Sequence, residues 1–495
     1  MTRGIILKGQ AYVLKRRQRV GLWEGKCYVM KMKKSILLLA FAILCIIAGS
    51  HFVSNKLSSR EAEGTEPNTS IQPEADSSAI PPIDDETFID TSDTIRVALH
   101  TTGFASLYHS QVKVSCDVPY EVITEDGIVE KEAGEVMSFS KVEEETKISP
   151  MQKEGRITLL SIKRNSGTPS YRGTITLHSK NGKIVVVNEL SMEEYLYGVL
   201  PSEMPANYGA EALKLQAVCA RSYAMREKNE SRYEEFYADV VDSTASQVYN
   251  NTKEDGRANQ AVRDTKGEIL MYEDEIASTY FFSTSYGYTT NSGDVWYQSR
   301  KESSPEYLTG KFQGEEELEL NLKKESDFRA FLDHPDFYDT FEQEEAWYRW
   351  TVKTTLSQIS KTLSANYPKE VKKIGAIKKL VIADRGVGGV AKICKVVGTK
   401  GSFVIEKENA IRKAFAVSGT KAIGQNKTEM TISSLLPSGY FYIEQKGKNV
   451  IFHGGGFGHG VGMSQTGARN MAELGYTWEE MAEHYFPGVS IESCY

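Results

Sequence analysis

Residues 189–226 join a strong helix signal to a stiff loop that holds one carboxylate. In the second half of this stretch, apolar residues recur at three- and four-residue steps among good helix formers: Leu213, Ala217, Ala220 and Ala224. That spacing predicts a helix. The preceding loop, Pro201-Ser202-Glu203-Met204-Pro205, is stiff because each proline fixes its own φ and restricts the residue before it. We expect Glu203 just ahead of a helix N-terminus, as a catalytic acid or base or as a carboxylate that favours the positive end of the helix dipole.

Length and charge restrict the class of protein. The chain has 495 residues, of which 25% are charged and 40% hydrophobic, enough for one large or two ordinary cores. Its formal net charge is −7, and we identify no Lys/Arg cluster outside the N-terminus. A general nucleic-acid binder usually presents a basic face, so we expect no nucleic-acid partner.

The N-terminal segments predict export and attachment to a membrane. Residues 1–34 are basic and are expected to be cytoplasmic, with a start at Met30 or Met32 as an alternative. Residues 35–53 are largely apolar and are predicted to be a transmembrane anchor or a signal sequence, the uncleaved anchor being favoured. Residues 54–93 are rich in Ser, Glu, Asp, Pro and Thr, which predicts a disordered acidic linker. The expected location is the cell membrane, single-pass, with the C-terminal domain extracytoplasmic.

Residues 94–495 are predicted to have an α+β fold, in which a mixed, mostly antiparallel β domain surrounds a central helix and forms a cleft. Alternating segments at the start of this region indicate strands, and the Asn181-Gly182 pair indicates a β-hairpin. Residues 300–376 differ, because acidic runs lie there among aromatic residues. We expect these residues to be a largely helical insertion with a solvated acidic face.

Other kinds of active site fit the sequence less well. The Gly-rich block at 453–468 lacks the Lys-Ser/Thr of a phosphate loop and does not fit the dinucleotide pattern. It would let a backbone approach a ligand, with His459 and Gln465 as hydrogen-bonding groups; the alternative is a buried turn with a satisfied histidine. The hydroxyl-rich segment at 283–292 is not a Gly-x-Ser-x-Gly elbow. HExxH and CxxC pairs are absent, the six cysteines are scattered, and Cys219 is expected to be a small core residue.

Three blocks in order resemble the stage II sporulation protein D and amidase-enhancer family, and in particular its sporulation protein D branch. They are GVLPSEMPANYGAEALKLQAVCARSYAM, STSYGYTTNSGDVW and HGGGFGHGVGMSQTGA. The resemblance covers Thr94 to the C-terminus. It implies a peptidoglycan lytic transglycosylase, acting on glycan strands that preferably lack their peptides. Some members bind zinc in the loop before Gln-Val-Tyr, but this chain has Ala245 and Ser246 there, so we expect no metal and no cofactor.

The resemblance also implies which residues form the site. Glu203, in the Glu-Met-Pro motif, is the catalytic residue. Because only one acidic residue lies in a matching position, the substrate's own N-acetyl group and 6-hydroxyl would do the work of a second carboxylate and give a 1,6-anhydro end. Expected substrate-binding residues are Ser202, Arg221, Ser283, Ser285, Tyr286, Asn291, His459, Met463, Ser464 and Gln465.

Two other functions stay open. A non-catalytic member of the family would bind the wall and stimulate an N-acetylmuramoyl-L-alanine amidase, and family members also interact with engulfment proteins. The third hypothesis is a surface-displayed structural or adhesion protein. Failure to bind purified cell wall would favour it.

Overall fold

The computed structural model describes residues 94–143, 145–297, 303–316 and 320–495, which belong to one compact unit. The expected cytoplasmic segment (1–34), anchor (35–53) and acidic linker (54–93) lie outside the described residues. Among the described residues, no helix has the length and hydrophobicity needed to cross a bilayer.

The first part of the fold is built on two sheets, one antiparallel and the other antiparallel in all but one strand pair. The larger has seven strands, in the spatial order Val240–Val241, Thr94–Ala98, Lys183–Ser191, Thr174–Lys180, Thr146–Pro150, Tyr120–Thr124 and Gly127–Lys131. All its pairs are antiparallel except the first. The smaller has the order Met137–Phe139, Val112–Cys116, Ile157–Leu159 and Ser170–Tyr171. The hairpin predicted at Asn181-Gly182 is confirmed, since both residues have positive φ between two paired strands.

The described residues contain ten α-helices: α1 (Met192–Glu203), α2 (Ala210–Glu230), α3 (Gly256–Asp264), α4 (Ser292–Val295), α5 (Glu325–Asp333), α6 (Leu356–Asn366), α7 (Pro368–Ile374), α8 (Glu408–Phe415), α9 (Gln465–Leu474) and α10 (Trp478–Tyr485). The prediction of a central helix is confirmed, because α2 contacts α1, α3, α9 and α10. Its residues Leu213, Ala217, Ala220 and Ala224 are buried, as the periodicity requires, and Cys219 is a buried thiol among them.

Residues 300–376 have the helices that the composition suggested, α5, α6 and α7. They also contain the strand Trp350–Thr355, which was not expected and lies in the middle of a five-stranded sheet. That sheet has the order Glu429–Thr431, Lys421–Gly424, Trp350–Thr355, Asn449–Gly454 and Phe441–Lys446. Trp350 and Val352 alternate into the core, a period of two that the acidic residues nearby obscured.

The second part of the chain has its own hydrophobic core. Trp350, Ile359, Cys394, Phe415 and Phe452 belong to one buried cluster, which is separate from the cluster around α2. A three-stranded antiparallel sheet covers one side of it, in the order Ile377–Arg385, Ala391–Gly398 and Ser402–Glu406. Another three-stranded sheet, Glu275–Ile276, Glu268–Tyr272 and Ser490–Ser493, brings the C-terminus back beside α2.

A short parallel pairing joins the second and third family-like blocks. Phe281–Phe282 pairs with Met463–Ser464, so the start of residues 283–296 lies beside the last part of residues 453–468. The glycines of the last block allow close packing here. A Cβ on Gly460, where φ is +78°, would lie 1.9 Å from the hydroxyl of Tyr440.

Candidate active site

Glu203 lies at the end of a helix, not ahead of one. It is the last residue of α1, with Pro201 inside the final turn and Met204 as the C-cap. The helix continues through Pro201 because a φ near −65° is compatible with helical backbone. The next helix starts only at Ala210. The carboxylate therefore lies at the negative end of α1, where a helix dipole disfavours a negative charge. The interpretation of Glu203 as a carboxylate that favours the positive end of a helix dipole is wrong.

One hydrogen bond holds the Glu203 side chain. The backbone N–H of Val248 donates to its Oε1 at 2.6 Å. Burial raises the pKa of Glu203 to about 7, against the opposing effect of that hydrogen bond. The phenol of Tyr195 is close enough to interact electrostatically with the carboxylate. A carboxyl with a pKa near 7 can both donate and accept a proton near neutral pH.

The loop at 242–249 positions Val248. Asp242, which is fully buried, pairs with Arg164 and accepts a 2.6 Å hydrogen bond from Nδ1 of His100. At the other end of the loop, Gln247 accepts a hydrogen bond from the Tyr195 hydroxyl at 3.2 Å. Arg164, His100 and Tyr195 each lie more than fifty positions from their partner in the loop, so no local sequence pattern indicates these contacts.

Tyr249 fixes the end of the same loop against α1. Its ring lies so close to Gly198 that a Cβ there would meet ring carbon at 2.6 Å, and its hydroxyl donates to Asn188 at 2.8 Å. Ser202, a predicted substrate contact, also serves this connection. Its Oγ donates to the Gly198 carbonyl at 2.7 Å and accepts from the N–H groups of Asn251 and Thr252.

The Gly-rich block reaches Glu203 through Gln465, the first residue of α9. Its Nε2 donates to the backbone carbonyl of Glu203 and to Oε1 of Gln216, each at 3.1 Å. Met463 and Ser464, two other predicted contacts, are fully buried. The Ser464 side chain caps α9 and accepts from the Ser285 N–H at 3.1 Å.

The hydroxyl-rich block is only partly accessible. Ser285 and Tyr286 are buried, and the Tyr286 hydroxyl donates to the Gly388 carbonyl at 2.5 Å. Asn291 precedes α4 and accepts from the Gly310 N–H at 2.7 Å. Ser283 is half-buried, and its carbonyl accepts from Thr466. Of these four candidates, Ser283 and Asn291 retain surface.

A buried carboxyl lies behind this block. Glu342 is fully buried and accepts a 3.3 Å hydrogen bond from the Ser285 N–H, and burial raises its pKa to about 7. It has no surface through which to meet a ligand. We interpret it as a support for the junction between Ser285 and Ser464.

Four aromatic rings pack together in a group that we call the aromatic shelf. Tyr280, Trp296 and His459 retain exposed surface, and Phe282 is buried against His459. The Trp296 ring lies 4.6 Å from that of Tyr280 and 4.8 Å from that of His459, centroid to centroid, and 43% of Trp296 is exposed. Because Phe282 pairs with Ser464, next to Gln465, the shelf starts beside the segment that contacts Glu203. Trp296 is the last residue of the second block that resembles the family. That position was the sequence feature that could have indicated the shelf.

His459 is a neutral hydrogen-bonding group. Burial lowers its pKa to about 4, with a smaller contribution from the charge of Arg412. Its Nδ1 accepts from the Val461 N–H at 3.1 Å, which fixes the ring orientation. The ring packs against Phe282 and Trp296.

Arg221 does not reach the surface. It is fully buried in α2 and donates to both carboxylate oxygens of Glu193, at 2.9 and 2.7 Å, and to the Glu268 carbonyl. These buried acceptors explain why a charged residue can lie in the core beside the apolar face of the central helix. We therefore leave it out of the surface that could bind a substrate.

No described group of three His, Cys, Asp or Glu side chains is arranged to hold a metal ion. In the loop before Gln247, Ala245 and Ser246 are surface residues without ligand atoms of that kind. His453 contacts Glu444 and His484 contacts Gln313, so the two do not converge with His459 on one centre. That this chain binds no metal stays a prediction.

Comparison with known protein families agrees with this arrangement. Residues 180–272, which include Glu203 and Val248, match the family described as stage II sporulation protein. Over that range the chain is similar to the stage II sporulation protein family. Residues 290–462 match a second family, a domain of unknown function.

Individual relatives carry both kinds of name. The chain is 27% identical to the amidase enhancer of Bacillus subtilis over 303 residues, which is 60% of this chain but 40% of that protein. It is 28% identical to stage II sporulation protein D of Bacillus subtilis over 66% of this chain and 83% of that protein. It is also 29% identical to an uncharacterized protein of Brachyspira hyodysenteriae, over 65% of this chain and 72% of that protein. These identities do not separate the two branches, so the assignment to the sporulation branch stays a prediction.

A substitution at Arg221 distinguishes a structural role from substrate binding. We expect Arg221→Met to lower the free energy of unfolding by about 3–5 kcal/mol, because it leaves the Glu193 carboxylate buried without its partner. The matched control is Arg257→Met in α3, whose 62% exposed side chain pairs with Asp255 and should leave the free energy of unfolding nearly unchanged. Chemical denaturation measures both. A stable Arg221→Met protein that has lost only glycan binding would contradict the structural role.

Proposed function

We propose that this protein is a peptidoglycan lytic transglycosylase that cleaves glycan strands between N-acetylmuramic acid and N-acetylglucosamine. The observation that carries the proposal is the Glu203 carboxyl, which burial keeps protonated up to about neutral pH at the end of α1. The match of residues 180–272 to the stage II sporulation protein family supports the same proposal, as does the position of Glu203 beside the Gly-rich block.

In the first step, Glu203 acts as a general acid. Its carboxyl proton passes to the glycosidic oxygen as the bond from that oxygen to C1 of the muramic residue breaks. The N-acetyl carbonyl of the same sugar supports the cationic centre at C1. The Val248 N–H, 2.6 Å from Oε1, stabilises the carboxylate that the proton transfer leaves behind.

In the second step, the Glu203 carboxylate acts as a general base. It takes the proton of the C6 hydroxyl while O6 forms a bond to C1, which closes a 1,6-anhydro ring. Glu203 regains its proton and no water is consumed. One carboxyl thus suffices, in contrast to the two that glycoside hydrolysis usually needs.

The aromatic shelf supplies a surface suited to sugar rings. Trp296 and Tyr280 present apolar faces with polar edges, and neutral His459 adds a hydrogen-bonding group. With Ser283 and Asn291, it would line a glycan-binding groove leading to Glu203. The intact glycan strand, preferably free of peptides, is the proposed substrate.

The proposed location is the cell membrane, with the catalytic domain outside and an anchor at residues 35–53. The proposed role is cell-wall remodelling, with sporulation and engulfment as the context suggested by relatives named stage II sporulation protein D. A cell-wall amidase that removes the peptides, or engulfment proteins, are the proposed protein partners.

The second candidate function is a non-catalytic enhancer of an N-acetylmuramoyl-L-alanine amidase. The relative named amidase enhancer favours it, at 27% identity. In that case the same groove would bind glycan without cleaving it, and the raised pKa of Glu203 would have no use.

The first test is mass spectrometry of sugars released from peptide-free glycan strands by the full chain. We expect anhydro-muramic ends from the wild type and a loss of at least about a thousandfold in rate for Glu203→Gln, because amide cannot donate this proton. The matched control, Glu275→Gln, changes a carboxylate that is 83% exposed and should keep full activity. If neither wild type nor Glu203→Gln releases sugar while both bind strands, the enhancer function takes over.

The pH dependence follows from the raised pKa. Because Glu203 must start protonated, kcat/KM should be constant below about pH 7 and fall about tenfold per pH unit above it. Glu342 titrates in the same range, so Glu342→Gln is the control. The decline of kcat/KM above about pH 7 should persist in that variant, since Glu342 does not reach the substrate. If the decline disappeared, Glu342 would be the group whose titration controls the rate.

Trp296 should determine affinity more than rate. We expect Trp296→Ala to raise KM for glycan about fivefold to tenfold with little change in kcat, a loss of about 1–1.4 kcal/mol of binding. Phe337→Ala is the control, because Phe337 is 64% exposed and lies outside the shelf. Equal KM values for Trp296→Ala and wild type would remove the shelf from the binding site.

A further inference from the structure

A lysine-rich surface lies in the second half of the chain, away from the elements that hold Glu203. Residues 361–400 contain nine lysines and one arginine against two acidic residues, in a chain whose net charge is −7. We expected no basic cluster beyond the N-terminus, and that expectation is wrong. The lysines are spread over forty positions, and only the fold brings them together.

Strand pairing places two of these lysines on one face of the three-stranded sheet. Lys395, on the central strand, pairs with Val381 on one side and Val404 on the other, and Lys379 pairs with Val397. The opposite face carries Leu380 and Val396, which point into the core. Lys379 and Lys395 therefore share the outer face, because side chains alternate along a strand.

The neighbouring helix and turn extend this positive surface. Lys372 and Lys373 lie in the last turn of α7, and Lys378 follows at the start of the first strand. Lys400 lies in the turn between the second and third strands, and its N–H donates to the Ile374 carbonyl at 2.8 Å, next to α7. We call this set the lysine face: Lys372, Lys373, Lys378, Lys379, Lys395 and Lys400.

The lysine face is exposed and lacks counter-charges. All six residues are exposed, and no carboxylate in the described part of the chain forms an ion pair with any of them. By contrast, Lys392 on the same sheet pairs with Asp294 at 2.6 Å. Neighbouring ammonium groups repel one another, and an anionic ligand with repeated charges would relieve that repulsion.

The chemistry of the lysine face limits the classes of ligand that can bind there. It holds lysines and no arginine, and lysine binds phosphate as a point charge without the fixed geometry of a guanidinium fork. Val404 is the exposed large apolar residue on this sheet. The lysine face has no exposed aromatic residues of the kind that stack on nucleic-acid bases, and no exposed Trp, Phe or Leu of the kind that enter a bilayer interface. A flexible polyanion that needs no stacking and no insertion fits these features best.

We propose that the lysine face binds a cell-envelope polymer of repeated phosphodiesters. The assignment of that polymer to the envelope rests on the proposed function, whereas the affinity for a polyphosphodiester follows from the face itself. The elements that carry the lysine face pack on the second hydrophobic core, whereas the residues next to Glu203 pack in the first. The face therefore binds independently of the groove at Glu203. It would hold the enzyme on the wall while the glycan groove exchanges substrates.

Binding of synthetic poly(glycerol phosphate) by the full chain in detergent tests the proposal. The test variant combines Lys372→Glu, Lys379→Glu, Lys395→Glu and Lys400→Glu. The control combines Lys141→Glu, Lys153→Glu, Lys183→Glu and Lys253→Glu, which make the same change in charge at exposed positions elsewhere. We expect the test variant to lose at least about tenfold in affinity and the control to lose less than about twofold. Wild-type binding should weaken as salt rises from about 50 mM to about 300 mM.

Two further measurements keep the outcomes separate. Single-stranded DNA and vesicles of phosphatidylglycerol are the competing polyanions, and wild-type binding to either as tight as to poly(glycerol phosphate) would overturn the choice of ligand. Equal affinity of the two quadruple variants would overturn the site. Release of anhydro-muramic ends from peptide-free strands should be unchanged in the test variant, which shows that it is folded. Loss of that release in the wild type would count against the proposed function alone.

Discussion

A single hydrogen bond, from the N–H of Val248 to the carboxylate of Glu203, is the interaction on which the candidate site depends. Among the described residues, no lysine, arginine or histidine forms an ion pair with Glu203, and the dipole of α1 opposes its charge. One neutral donor therefore faces a buried carboxyl. Burial prevails, and the pKa rises to about 7. A cation in the place of Val248 would have favoured the ionised form and left a poor acid.

Much of the surrounding structure serves to keep that one donor in place. The loop that carries Val248 is fixed at Asp242 by Arg164 and His100, and at Tyr249 by its contact with Gly198. These are buried polar and steric contacts, which are costly to break and tolerate little displacement. A proton-transferring group needs such a fixed setting, because its reach to the substrate is set within a fraction of an ångström.

The parts of the fold that follow from local patterns could be predicted from the sequence, and the parts that depend on distant partners could not. The buried face of α2 and the turn at Asn181-Gly182 are local, since period and turn chemistry specify them. The partners of Arg221 and Glu203 are not local: Glu193 is 28 positions from Arg221, and Gln465 is 262 positions from Glu203. Resemblance to the family singled out Glu203, but neither motif nor spacing told a buried arginine from a substrate contact.

The energetic setting of Glu203 bears on the choice between enzyme and enhancer. A pKa raised from 4.5 to about 7 means that the ionised form is disfavoured in the folded protein by on the order of 3 kcal/mol. Because the folded-state pKa is the higher one, this penalty is absent below about pH 4.5, grows as pH rises, and is complete above about pH 7. A protein that only bound glycan would gain nothing from such a carboxyl, since an amide or an exposed acid could bind sugar hydroxyls without the loss of stability. A general acid near neutral pH, however, requires such a raised pKa. The same burial that lowers the stability of the folded protein above pH 7 therefore enables Glu203 to donate its proton.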